Sequence, residues 1–223
     1  MVRRRCFSAG ARYLLSSAAF LIIWVGVVTA QAGKVEPIGP PNAPGASDAL
    51  KQSVSDKGLR VTLDDGWTAD FWFARALAVG GGTAGALYPD LANGQFVGVV
   101  TFPKGASDFR GQAIPAGTYT LRYQYIPQDA NHMGVSPNPD FLLTAPVASD
   151  SAPADNVALK RLVALSTKST GTAHPGVFAL APAGTPGGIA KDEQGMLILT
   201  VEVATTASKT EKIGVVVKGQ ATQ

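Results

Sequence analysis

The chain reads as an all-β protein, an antiparallel sandwich of about eight strands with one short helix. A closed barrel is the alternative, since sequence does not say whether sheet edges meet. Three observations predict this. Most runs alternate apolar and polar residues with period two, Gly, Pro, Asn and Asp punctuate them, and only one internal stretch carries helical spacing.

Leu59–Leu63 puts Leu59, Val61 and Leu63 on one side. In the next run, Trp67 to Leu77, Trp67, Phe71 and Phe73 share a face opposite Asp70 and Trp72. Gln95–Phe102 is rich in β-branched and aromatic residues. The turn Ile114-Pro115-Ala116-Gly117 leads into Gly117–Ile126, where Tyr119, Leu121, Tyr123 and Tyr125 oppose Thr118, Thr120, Arg122 and Gln124. Asp140–Val147 and the short Gly176–Leu180 follow, and Met196–Ala204 with Ile213–Lys218 make a terminal hairpin. Phe71, Phe73, Leu121 and Val201 are expected in the core. The helical stretch is Asp155–Lys168, with Asp155 as N-cap, Gly171 beyond its end, and Ala158, Leu159, Leu162 and Leu165 on one face. Ser47 caps a short helical turn over Ser47–Lys57.

Residues 1–32 read as an export signal. Arg3, Arg4, Arg5 and Arg12 precede an apolar run from Tyr13 to Ala30, and Ala30-Gln31-Ala32 fits signal-peptidase cleavage. Arg4-Arg5-Cys6-Phe7 also resembles a twin-arginine motif. An uncleaved leader is the one route to the membrane. Residues 33–58 form a Pro-rich linker, expected to be extended and unpaired because proline lacks the N–H donor. Residues 59–223 form a single domain. The expected location is the periplasm or the medium.

Of 223 residues, 46% are hydrophobic and 16% charged, which excludes a disordered chain. Without the leader's four arginines, the 19 basic residues become 15 against 16 acidic ones. The net charge then moves from +3 to −1. A nucleic-acid partner loses its electrostatic basis. Cys6, the one cysteine, leaves with the leader, so the remainder holds no disulfide, thiolate nucleophile or cysteine-ligated metal.

Ile114–Leu121, Asn131-His132-Met133-Gly134-Val135 and Ser169-Thr170-Gly171-Thr172-Ala173-His174-Pro175 resemble stretches of a family of uncharacterised secreted bacterial β-rich proteins. The resemblance spans about residues 59 to 218 and implies a β-rich fold and an export route, with no activity attached.

Candidate sites are sparse. His132, with Asp129 and Met133 nearby, and His174 lie in loops and form a ligand set for copper or zinc if the loops meet. The simpler reading, and the favoured one, is that each histidine pins a turn. His132 or His174 as base with Ser136, Ser149 or Ser169 as nucleophile, the imidazole oriented by Asp129 or Asp140, gives a hydrolytic alternative, but no Gly-x-Ser-x-Gly elbow is present. Asp64-Asp65 and Asp192-Glu193 are adjacent acids in turns, where acids are common. Gly80-Gly81-Gly82-Thr83 lacks the Lys-Ser or Lys-Thr of a phosphate loop. Trp72, Tyr119, Tyr123 and Tyr125 make a row able to stack on sugar rings if exposed. For the tyrosines core packing is favoured, and Trp72 is the better surface candidate. No catalytic residue is assigned. The expectation is a non-catalytic binding or envelope-associated module, with carbohydrate or another envelope protein as partner. A secreted metal-binding or hydrolytic protein centred on His132 and His174 is the alternative.

Overall fold

The computed structural model describes residues 32–126, 136 and 138–219. Alternating apolar residues and turn formers set out β1 (Gly33–Ile38), α1 (Asp48–Ser53), β2 (Gly58–Leu63), β3 (Thr68–Phe73), β4 (Phe96–Phe102), β5 (Ala106–Ser107) and β6 (Ala113–Ile114). The chain continues as β7 (Gly117–Tyr125), β8 (Asp140–Pro146), α2 (Leu159–Thr170), β9 (Val177–Ala181), β10 (Ile189–Lys191), β11 (Leu197–Ala204) and β12 (Thr210–Lys218).

The fold is all-β and antiparallel, as the periodicity predicts. Among the described residues ten strands join one sheet in the order β1-β2-β3-β4-β7-β8-β9-β12-β11-β10, and β5 and β6 form a small separate ladder. The ends of the sheet approach each other: a Cβ built on Gly33 of β1 would lie 3.2 Å from Cδ1 of Ile189 on β10. The sheet is therefore nearly closed into a barrel, the alternative the sequence left open.

The interior takes one face of every long strand. Register places Phe71 opposite Val100, Val100 opposite Tyr119, Leu142 opposite Phe178 and Val215 opposite Leu199. Phe71, Phe73, Leu121 and Val201 are buried in this core, as expected. Phe102 stacks on Phe178 with centroids 5.7 Å apart and meets Tyr119 at 5.8 Å.

The outward face is also largely covered, and this corrects two sequence-based expectations. The first concerns the linker. Gly33–Ile38 is a strand paired along β2, with Pro37 opposite Leu59. β1 is an edge strand, where a missing N–H costs no ladder bond. The second concerns Trp72. It does alternate with Phe71 and Phe73, yet it is only 2% exposed. The chain after β1 crosses over it, so that the indole Nε1 donates to the carbonyl of Gly39 at 3.0 Å. Gly58 is required beneath it, because a Cβ there would collide with the indole. Helix α1 then starts at its expected cap, with Ser47 Oγ accepting from the N–H of Leu50 at 3.2 Å.

Helix α2 covers the outer face of β8 and neighbouring strands, where Phe141, Leu143, Val157, Leu162 and Val177 cluster. It starts at Leu159, later than the spacing suggested, and its N-cap is Ala158, not Asp155. Asp155 stays outside because its carbonyl accepts from Arg122 Nη1 at 2.6 Å. Its buried residues are Leu162, Ser166 and Ser169, spaced for one helical face, while Leu159 is exposed. Gly171 ends the helix in the left-handed region at φ 65° and donates to Thr167 at 2.9 Å.

Two buried carboxylates hold the long connections. On the outer face Arg122, fully buried, is bidentate to Asp150 at 2.6 and 2.8 Å and also donates to the carbonyls of Gly94, Ala152 and Asp155. Inside the barrel, Asp140 accepts from the Tyr123 hydroxyl at 2.6 Å and from the N–H groups of Leu87 and Tyr88 at 2.9 and 3.1 Å. The Tyr88 hydroxyl donates to Ala181 at 2.6 Å and accepts from Gly214 at 2.7 Å. Residues 74–95 are thereby stitched to β8, β9 and β12 and close one end of the barrel with Leu77, Tyr88 and Leu91.

Candidate binding site at the open end of the barrel

At the opposite end of β3 no described residue forms such a cover. The β2–β3 turn, the β10–β11 turn, the end of β12 and residues 107–111 surround a cavity of about 1000 Å³. Its floor is the top of the core: Leu63, Phe178, Leu197 and Val217 are buried members of the main cluster. The Trp67 ring is half-buried in its wall and tilts against Phe102 at 6.2 Å. These side chains face inward by strand alternation, and the described residues leave an apolar recess over them.

The mouth is polar. Asp64, Asp65, Lys191 and Lys218 are exposed around it. Lys218 Nζ is hydrogen-bonded to Asp65, bridging β12 and the β2–β3 turn. The Lys218 hydrogen bond, aided by the N–H of Trp67, holds the Asp65 carboxyl below the usual carboxylate range. Asp192 shapes the facing turn by accepting from the N–H groups of Gln194 and Met196 at 3.0 and 2.8 Å. Asp108 also lines the recess but is buried and committed: it accepts from the N–H groups of Arg110, Gln112 and Val177 and from Gln112 Nε2. The arrangement offers an apolar pocket and a charge-balanced rim. Both acidic pairs of the sequence are turn residues here, as their setting suggested.

The aromatic row is not a surface platform. Tyr119 and Tyr123 are buried, Tyr123 fully so, and Tyr125 is half-buried. With Trp72 under the Gly39 segment, no flat aromatic face is offered by these four. Burial raises the hydroxyl pKa of Tyr123, reinforced by its bond to Asp140, and pushes Tyr88 up to about 12.

His132, Met133 and Asp129 lie outside the described residues. His174 is exposed in the loop after α2, where its N–H donates to Thr172 Oγ1 at 3.0 Å and its carbonyl accepts from Thr170 Oγ1 at 2.7 Å. The main chain, not the imidazole, pins that turn. Among the described residues no group of three or more His, Cys, Asp or Glu could hold a metal. Ser169 is buried and donates to Thr144 at 3.0 Å, and Asp140 belongs to the barrel interior, so neither serves the hydrolytic arrangement.

Sequence reasoning missed the cavity. Its residues come from segments spread between Ala32 and Gly219, and Trp67 carried only a core-face signal. No family model, curated protein or solved structure matches this chain, so the candidate site rests on its geometry.

Proposed function

We propose that the chain is an exported, non-catalytic binding module whose ligand enters the open end of the barrel. The observation that carries this reading is the cavity of about 1000 Å³ with an apolar floor and a charge-balanced rim. Small-molecule clefts run to roughly 300–1,000 Å³ and pair apolar walls with a few polar groups. The ligand class that fits is a small amphipathic molecule, with its apolar body against Trp67 and Phe178 and its polar end among Asp64, Asp65, Lys191 and Lys218. The basic start, apolar run and Ala30-x-Ala32 site support export to the periplasm or medium, with association at the envelope.

Two measurements test this. Amphipathic molecules, screened against the exported protein, raise its unfolding temperature by binding the native state, and Trp67→Ala removes the rise. No rise with any member of the screen overturns the binding reading. Mass spectrometry of the exported protein finds its N-terminus at Gln31 or Gly33. An N-terminus at Met1 overturns the cleaved leader.

A further inference from the structure

The charged residues that line the barrel-end cavity are Asp64, Asp65, Asp108, Lys191 and Lys218. Three of them are already committed within the protein. Asp65 and Lys218 hold each other. Asp108 is buried and takes up the N–H groups of Arg110, Gln112 and Val177 together with Gln112 Nε2. The side chains of Asp64 and Lys191 are exposed and make no hydrogen bond or ion pair among the described residues. The cavity therefore presents one uncommitted negative charge and one uncommitted positive charge.

The sheet decides where they stand. Gly33 of β1 is wedged between β2 and β10, since a Cβ there would lie 2.8 Å from Leu63 Cδ2 and 3.2 Å from Ile189 Cδ1. Asp64 follows Leu63 directly, and Lys191 is two residues beyond Ile189. Ala32, which precedes Gly33, also lines the cavity. The two free charges thus belong to the strands on either side of β1, at the same mouth. Below them lies the apolar floor of Leu63, Phe178, Leu197 and Val217.

An anionic head group at this mouth meets Lys191 but is repelled by Asp64. A cationic one meets Asp64 and is repelled by Lys191. A neutral head group compensates neither. A head group that carries both signs a few bonds apart meets each free charge with its opposite. We infer that the ligand of this cavity is a zwitterionic amphiphile, an apolar body bearing an ammonium and an anionic group. This rests on the barrel-end reading of the cavity and specifies the head group that the reading leaves open.

The test titrates the exported protein with four amphiphiles of one chain length, each below its micelle-forming concentration. They are dodecylphosphocholine, dodecyl phosphate, dodecyltrimethylammonium and dodecyl maltoside. The zwitterion binds about fivefold more tightly than the other three, the scale of unit charges about 4 Å apart in water. Asp64→Asn removes its preference over the phosphate, and Lys191→Gln removes its preference over the ammonium. Salt at about 1 M, where the screening length is about 3 Å, removes both preferences. Equal affinity for all four in wild type, with Trp67→Ala abolishing binding, overturns the zwitterion and leaves the barrel-end reading standing. So does a preference that both charge variants keep. Binding of none of the four overturns both.

Discussion

Where β3 leads towards β4, residues 74–95 turn back over the barrel, and a buried carboxylate, Asp140, gathers two of their N–H groups and a tyrosine hydroxyl. Where β2 turns into β3, no described segment crosses the end, and an exposed lysine–aspartate pair stands beside an apolar recess. The same sheet and the same alternation feed both ends. The difference lies in the connections. A long connection with its own apolar residues closes the barrel, while short turns leave core side chains facing outward. Loops on a rigid sheet are free to serve binding, and among the described residues the end with the least covering chain has the room for it.

This comparison breaks if the two ends contribute alike to stability. Asp140→Ala strands three donors in the interior and should cost about 3–5 kcal/mol, the range for breaking a buried charged network. Phe71→Ala, deeper in the core, should cost a similar 3–5 kcal/mol if the space does not collapse. Urea unfolding measures both. A midpoint unchanged in Phe71→Ala would mean that the assigned inner face does not carry the core.

The next effect is a pH dependence peculiar to the closed end. Unfolded tyrosines ionise near pH 10, whereas burial pushes Tyr88 up to about 12 and raises Tyr123 further still. The native state then keeps protons that the unfolded state has lost. This contribution is fully present below about pH 10 and declines as pH rises towards 12. Urea midpoints taken across that window should fall, and Tyr88→Phe with Tyr123→Phe should flatten the decline. An equal slope in that double variant would detach the alkaline loss from the closed end.

The smallest effects belong to the mouth. Lys218→Ala removes an exposed ion pair and should cost about 0–1 kcal/mol. Because Asp65 has its pKa lowered, its contribution is present above 3.8 and is lost as pH falls through the lower folded value. A loss in Lys218→Ala as large as that in Asp140→Ala would erase the asymmetry between the ends.

Much of the sheet was legible because period two survives in single strands. β2, β4, β7, β8, β9, β11 and β12 fall within a few residues of the runs that predicted them. Ser47 and Gly171 announced their caps because capping is local chemistry. What escaped was set by distant chain. β1 was hidden by Pro37, which is tolerated only because β1 is an edge, and edge status belongs to the assembled sheet. Trp72 had the right alternation but the wrong environment, since its cover comes from Gly39, 33 residues earlier. The outward polar row of β7 is buried because Asp150 and the carbonyls around Arg122 enclose it, and those partners lie far along the chain. The candidate cavity is the extreme case, because segments spread between Ala32 and Gly219 meet there and none carries a motif.

Binding at the barrel end is tested most directly through Trp67, the indole in the cavity wall. In the protein with Trp24→Phe and Trp72→Phe, Trp67 is the remaining indole. Titration with an amphipathic fluorescent probe such as anilinonaphthalene sulfonate should quench Trp67 emission along a saturable one-site curve, with the unfolding midpoint rising in step. Quenching that never saturates, or probe binding of unchanged affinity in Trp67→Ala, would contradict a ligand seated in this cavity.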